Sequence, residues 1–239
     1  MLAPLRILAM LAWLLALLPL HGAWRLFRRR SPWPSRFLGG IGRIAGARVG
    51  ILGTPLPAPV LYLANHQSWL DIMILAGATG TAFVSKAEVR AWPLFGWLAS
   101  LNNTVFIARS DRGGVRQQAD ALRTALLSGQ AVALFPEGTT TDGTTLLPFR
   151  ASLLAAVAPP PPGTHVQPVA IDYGGARNVI GWSDESAWAN VRAVLGRRGR
   201  FDMTLHFLPP VADLSDRKRI GAAAQRAIAD ASGSHVQSL

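Results

Sequence analysis

A histidine and an aspartate stand five positions apart in the segment Asn65-His66-Gln67-Ser68-Trp69-Leu70-Asp71. An imidazole oriented by a carboxylate is a general base suited to a hydroxyl, because the carboxylate sets the tautomer and stabilises the imidazolium that forms. In one unbroken helix, residues five apart lie roughly 140° apart around the axis and cannot meet. They meet if His66 lies in a loop and Asp71 in the first turn of a helix capped by Ser68. The plainer reading is a capping box of Ser68 and Asp71 beside a surface histidine. Spacing alone leaves both open.

The second chemical stretch is Phe135-Pro136-Glu137-Gly138-Thr139, at the end of an apolar run. Gly138 permits a sharp turn and close approach to a ligand, and amides of such a turn can face an anion or a developing oxyanion. Glu137 is placed to accept a hydrogen bond from an acceptor hydroxyl. Read alone, the stretch is also ordinary loop chemistry, continued by the polar series Thr139 to Gly143.

The elements that must position these residues follow from the apolar pattern. Residues 47–52, 59–64, 81–85, 104–108, 131–135 and 166–173 read as strands. Residues 68–76, 113–127 and 217–231 read as helices, the second with Val115, Ala119, Leu122 and Leu126 on one side. Residues 92–98 are aromatic and apolar but broken by Pro93 and Gly96. The alternation predicts an α/β fold, a central mixed sheet flanked by helices, with chemistry in loops at strand ends.

The N-terminus carries a different signal. Residues 7–20 are an uninterrupted apolar and proline run, followed by Trp24-Arg25-Leu26-Phe27-Arg28-Arg29-Arg30. This reads as an N-terminal membrane-anchoring helix with its basic end on the cytoplasmic side. Spanning a bilayer takes about 20 apolar residues, so crossing and dipping into one leaflet are both open. The arginine cluster after the run, with no Ala-x-Ala-like site before it, disfavours a cleaved signal peptide. The expected organisation is therefore an anchor at 1–30 and a catalytic domain at 31–239, with residues 31–50, rich in Gly, Pro and Arg, connecting the two. The expected location is the cytoplasmic face of the bacterial inner membrane, held by a single anchor or monotopically.

A net charge of +11 implies a polyanionic partner, and the apolar run selects anionic membrane lipid over nucleic acid. The absence of cysteine excludes disulfides, thiolate nucleophiles and cysteine-bound metal sites. His21, His165, His206 and His235 show no metal-ligand spacing. Gly40-Ile41-Gly42-Arg43-Ile44-Ala45 fits a dinucleotide-binding pattern in letters only, since no clear strand precedes it, and it reads as part of the connection.

Taken together, the blocks resemble the phosphate acyltransferase family, which includes 1-acylglycerol-3-phosphate acyltransferases and other lysophospholipid acyltransferases. The resemblance runs in order from Asn65–Asp71 through Lys86-Ala87-Glu88, Pro93-Leu94-Phe95-Gly96 and Phe106-Ile107-Ala108-Arg109. It continues with Phe135–Thr139 and Gln167-Pro168-Val169-Ala170-Ile171. It implies an enzyme in which His66 and Asp71 form a catalytic dyad, and the acceptor hydroxyl attacks the thioester of acyl-CoA or acyl carrier protein directly. It implies acceptor-binding roles for Arg109, Glu137, Gly138 and Thr139, and for Lys86 toward phosphate. No metal or cofactor is implied beyond the acyl donor as co-substrate. The implied product is phosphatidate from lysophosphatidate.

Departures bear on the acceptor. Asn103 stands where the family usually has glycine, and Thr140 where phosphatidate-forming members often carry arginine. A missing guanidinium removes a bidentate phosphate contact, for which Arg150 is a substitute or an ordinary surface residue. The segment from Thr140 to Phe149 resembles lyso-ornithine lipid acyltransferases at least as much. A basic membrane-binding protein that has lost the chemistry is the rival reading.

Overall fold

A computed structural model of the chain describes residues 2–27, 31–107, 112–182 and 186–237. Helices α1 (Leu2–Arg25) and α2 (Trp33–Ala45) precede strands β1 (Ala47–Leu52) and β2 (Val60–Ala64) and helix α3 (Trp69–Thr79). Next come β3 (Ala82–Lys86), α4 (Pro93–Leu101), β4 (Val105–Ile107), α5 (Arg112–Leu127), β5 (Ala131–Leu134) and β6 (Thr145–Leu146). The chain continues through β7 (His165–Asp172), α6 (Arg177–Ile180), α7 (Ala187–Gly196), β8 (Phe201–Phe207), α8 (Arg217–Ser232) and β9 (His235–Val236).

The main sheet runs β1-β8-β7-β2-β5-β3-β4, parallel at each pairing except β7 with β8. This is the mixed α/β architecture the alternation predicts. Every residue of β2 is buried, as befits a central parallel strand covered on both faces. Its side chains alternate between two cores. Val60, Tyr62 and Ala64 face a cluster containing Leu70, Ile74 and Val194; Leu61 and Leu63 face Leu122, Leu126 and Ile220. The strand therefore cannot slip by one residue without exchanging both cores, and the loop that follows it is held in register.

Two regions differ from the sequence expectation. Residues 33–45, read as a connection, form α2, which starts with Pro34 in its first turn and ends at Gly46 in the left-handed conformation. Its glycines, poor helix formers, serve close packing. A Cβ on Gly77 of α3 would stand 2.5 Å from the Gly39 Cα, and one on Gly42 would stand 2.9 Å from Ile74. Residues 201–207 form β8, whose half-buried alternation, Phe201, Met203, Leu205 and Phe207 inward, is a strand signal the sequence reading passed over.

Helix α1 is long and apolar enough to cross a membrane by length and composition. One side packs on the protein: Ala3, Ile7 and Met10 rest against the core, Leu17 is buried, and Trp13 touches Gly40. Arg6 donates to the carbonyls of Val194, Leu195 and Gly199 at 3.2–3.3 Å, tying α1 to the end of α7. The other side leaves Leu5, Leu8, Leu11, Leu15 and Leu20 exposed. We predict that Gly77→Val lowers stability by about 1–3 kcal/mol through overpacking of α2 on α3. Thermal unfolding in detergent measures it, and an unchanged midpoint contradicts the close contact.

Candidate active site

Strands β7, β2 and β5 are adjacent and parallel, so the residues that follow them meet at one end of the sheet. After β2 come Asn65 and His66; after β5, the turn with Glu137; after β7, Tyr173. Asn65 fastens the first loop to the third strand, its Oδ1 accepting from the Ile171 amide at 2.7 Å and its Nδ2 donating to the Ile171 carbonyl at 2.9 Å.

His66 lies in the loop, and Asp71 occupies the first turn of α3, with Ser68 as N-cap and Asp71 completing a capping box. The His66 Nδ1 stands 2.8 Å from Asp71 Oδ2. One carboxylate thus both caps α3 and orients the His66 ring. The same Oδ2 accepts from the amides of Gln67 at 2.7 Å and Ser68 at 2.8 Å, while Oδ1 accepts from the Tyr173 hydroxyl at 2.6 Å. With Asp71 fully buried and accepting, Nδ1 carries the hydrogen and Nε2 is left with its lone pair. No hydrogen bond occupies Nε2 among the described residues, and the His66 side chain keeps 16% of its surface exposed.

The ring and backbone of His66 are also restrained. The imidazole stacks on Phe135 with centroids 4.0 Å apart and planes 10° from parallel. Its amide donates to Glu137 Oε1 at 2.7 Å, and its carbonyl accepts from the Thr141 amide at 3.0 Å. The other Glu137 oxygen accepts from the Leu147 amide at 3.0 Å. Glu137, expected to hold the acceptor, is 1% exposed with both oxygens on backbone amides, one of them that of His66.

Gly138, at φ +79°, makes the turn the sequence predicts, and Thr139 is exposed beside it. Lys86 closes β3 in register with Ile107, and its side chain is outside the described set. Arg109 lies outside the described residues altogether. Sequence reasoning missed Tyr173, Asn65 and the Phe135 stack. Only the adjacency of β7, β2 and β5 brings Tyr173 and Phe135 to His66 and gives Asn65 its partner Ile171, and the sequence does not state strand order.

Burial pushes the Glu137 carboxyl up to about 7, and the charge of Asp71 adds to the rise; the amides of Leu147 and His66 oppose it. Burial likewise raises the Tyr173 hydroxyl, with Asp71 adding, so it remains a donor. A folded-state Glu137 above its ordinary 4.5 binds a proton that the unfolded chain has released, so stability falls as pH rises from 4.5 to about 7. We predict that this fall is present in the wild type and absent in Glu137→Gln. Urea midpoints of both across that window measure it, and parallel curves contradict it.

A sequence model described as Acyltransferase matches residues 51–172. The lyso-ornithine lipid O-acyltransferase of Rhodobacter capsulatus is 35% identical over 94% of this chain and 88% of its own. The 1-acyl-sn-glycerol-3-phosphate acyltransferase of Neisseria gonorrhoeae is 36% identical over 56% of this chain and 53% of its own. Among solved structures, the 1-acyl-sn-glycerophosphate acyltransferase of Thermotoga maritima shares the fold with a TM-score of 0.60 at 22% identity, covering 96% of this chain and 97% of that one.

Proposed function

Because this chain belongs to the acyltransferase family, we propose that it transfers a fatty acyl group from acyl-CoA or acyl carrier protein to the free hydroxyl of a lyso-ornithine lipid, with His66 as general base. The observation that carries the mechanism is the imidazole held through Nδ1 by a buried carboxylate, with Nε2 unoccupied. Nε2 takes the proton of the acceptor hydroxyl as that oxygen attacks the thioester carbonyl. The new C–O bond forms, the C–S bond breaks, and His66 returns the proton to the departing thiolate. Asp71 stabilises the intervening imidazolium, and the Phe135 stack and Glu137 brace hold the ring in place.

The choice of acceptor reverses the order expected from the sequence, which put lysophosphatidate first. Two features support the reversal: the lyso-ornithine relative aligns over most of both chains, and Thr140 replaces an arginine common in phosphatidate-forming members. Lysophosphatidate is the second reading, and Arg150 is a candidate to hold the head group of either acceptor. This exposed residue is tethered by its amide to the Pro136 carbonyl at 2.9 Å. A Cβ on Gly138 would lie 3.2 Å from its guanidinium carbon, and no side-chain hydrogen bond or ion pair occupies that group among the described residues. A guanidinium so placed fits the carboxylate of an ornithine head as well as a phosphate.

For location, one side of α1 rests on α2 and α7, so lipid cannot surround the helix. Its exposed leucines fit a monotopic helix lying in one leaflet, and the basic residues after it favour the cytoplasmic face.

The decisive assay offers lyso-ornithine lipid and lysophosphatidate with each acyl donor. His66→Ala is expected to lower kcat by about 10² to 10⁴ with the fold retained by circular dichroism; intact activity overturns the mechanism. Product from lysophosphatidate alone overturns the acceptor. Arg150→Gln should raise the acceptor KM by roughly tenfold or more, with kcat changed less, and an unchanged KM removes Arg150 from the site.

A further inference from the structure

Away from His66, residues of α2, β1 and α3 enclose a groove of about 490 Å³ that includes none of the residues around the dyad. Val49, Ile51 and Ile74 supply apolar walls, and Arg43, Arg48 and Arg200 stand around them. The groove follows the free edge of the sheet, since β1 pairs only with β8 among the described residues. Val49 and Ile51 are 40% and 49% exposed there. An open edge bearing apolar side chains is a liability unless something covers it.

What covers it is indicated by its neighbours. The Arg6 guanidinium lies against Gly46, at the start of β1, and bonds the Gly199 carbonyl beside Arg200. Leu5 and Leu8, on either side of Arg6 in the chain, are each 63% exposed. A bilayer in contact with that end of α1 is therefore close to Arg200 and the groove. Arg6 is engaged by three carbonyls. The groove arginines are less committed. Arg48 meets the exposed Asp202 at 3.8 Å, and Arg43 donates through Nε to the Gly39 carbonyl at 3.3 Å. Asp202 is the acidic group facing them in the described contacts, so the rim stays cationic.

We propose that this groove binds one anionic phospholipid of the bilayer, its phosphate between Arg43 and Arg200 and its acyl chains along Val49 and Ile51. Two cations beside an apolar wall match a phosphate joined to hydrocarbon. The bound lipid covers the β1 edge and fastens the flank of the domain to the membrane. The inference rests on the membrane placement of α1, not on the acyl-transfer chemistry.

The test uses the full-length protein in nanodiscs of phosphatidylglycerol mixed with phosphatidylcholine, extracted into mild detergent and weighed by native mass spectrometry. The wild type should retain one phosphatidylglycerol. The double variant Arg43→Gln/Arg200→Gln should retain about tenfold less. Ala78→Trp, which fills the groove at unchanged charge, should also lose it. An equal charge change on α8, Arg217→Gln/Lys218→Gln, should retain it. Retention by the groove variants overturns the site, as does equal loss from both double variants, which would mark general surface charge. Because the readout is lipid mass, an inactive enzyme leaves the result interpretable.

Discussion

A charged carboxylate without access to water is the constraint on which this active site depends. Asp71 is fully buried, and a lone carboxylate in such a place would cost several kcal/mol or take up a proton. Four donors meet it: the His66 ring, the amides of Gln67 and Ser68, and the Tyr173 hydroxyl. The amino end of α3 adds a favourable dipole. Each donor comes from a segment that must then be in one place. The amides fix the loop after β2, the hydroxyl fixes the end of β7, and the ring of His66 is what remains to be held. Satisfying the charge and aiming the His66 ring are one arrangement.

Glu137 extends the same logic. Its two oxygens join the loop of His66 to the segment at Leu147, across a distance in sequence that only the sheet closes. Burial pushes the Glu137 carboxyl up to about 7, with the charge of Asp71 a smaller addition. One acid is therefore committed to the imidazole and the other to the backbone that carries it. The separation of roles follows from how many donors each receives, not from their chemistry.

Much of this was legible in the sequence, for physical reasons that differ by residue. The loop position of His66 followed from helix geometry, because residues five apart on a helix face different ways. Ser68 as cap and Gly138 as turn followed from local preferences that tertiary structure seldom overrides. The all-apolar run of β2 announced a strand covered on both faces. What escaped depended on partners distant in the chain. Tyr173 looks like the end of a strand until β7 lies beside β2, and Glu137 looks free until Leu147 arrives. The glycines at 39 to 42 argued against a helix by propensity, yet α2 forms because Gly39 and Gly42 are what let it approach α3. A cost paid locally was recovered in a contact the sequence cannot display.

That contact bears on where the chemistry happens. Helix α3 holds Asp71 in its first turn and meets α2 at Ile74 and Gly77, about 4.5 Å and 9 Å further along at the rise of an α-helix. Helix α2 in turn receives α1 through Trp13 at Gly40. The exposed leucines of α1 and the base are thus connected by packed helices, with no loop between α2 and α3 at the contact to absorb a shift. Close-packed interiors transmit displacement rather than damp it. On the proposed placement of α1 in one leaflet, its depth sets the height of His66 above it, and the acceptor hydroxyl need only be at that height to be reached. A lipid substrate whose free hydroxyl sits near the head group can then react without leaving the bilayer.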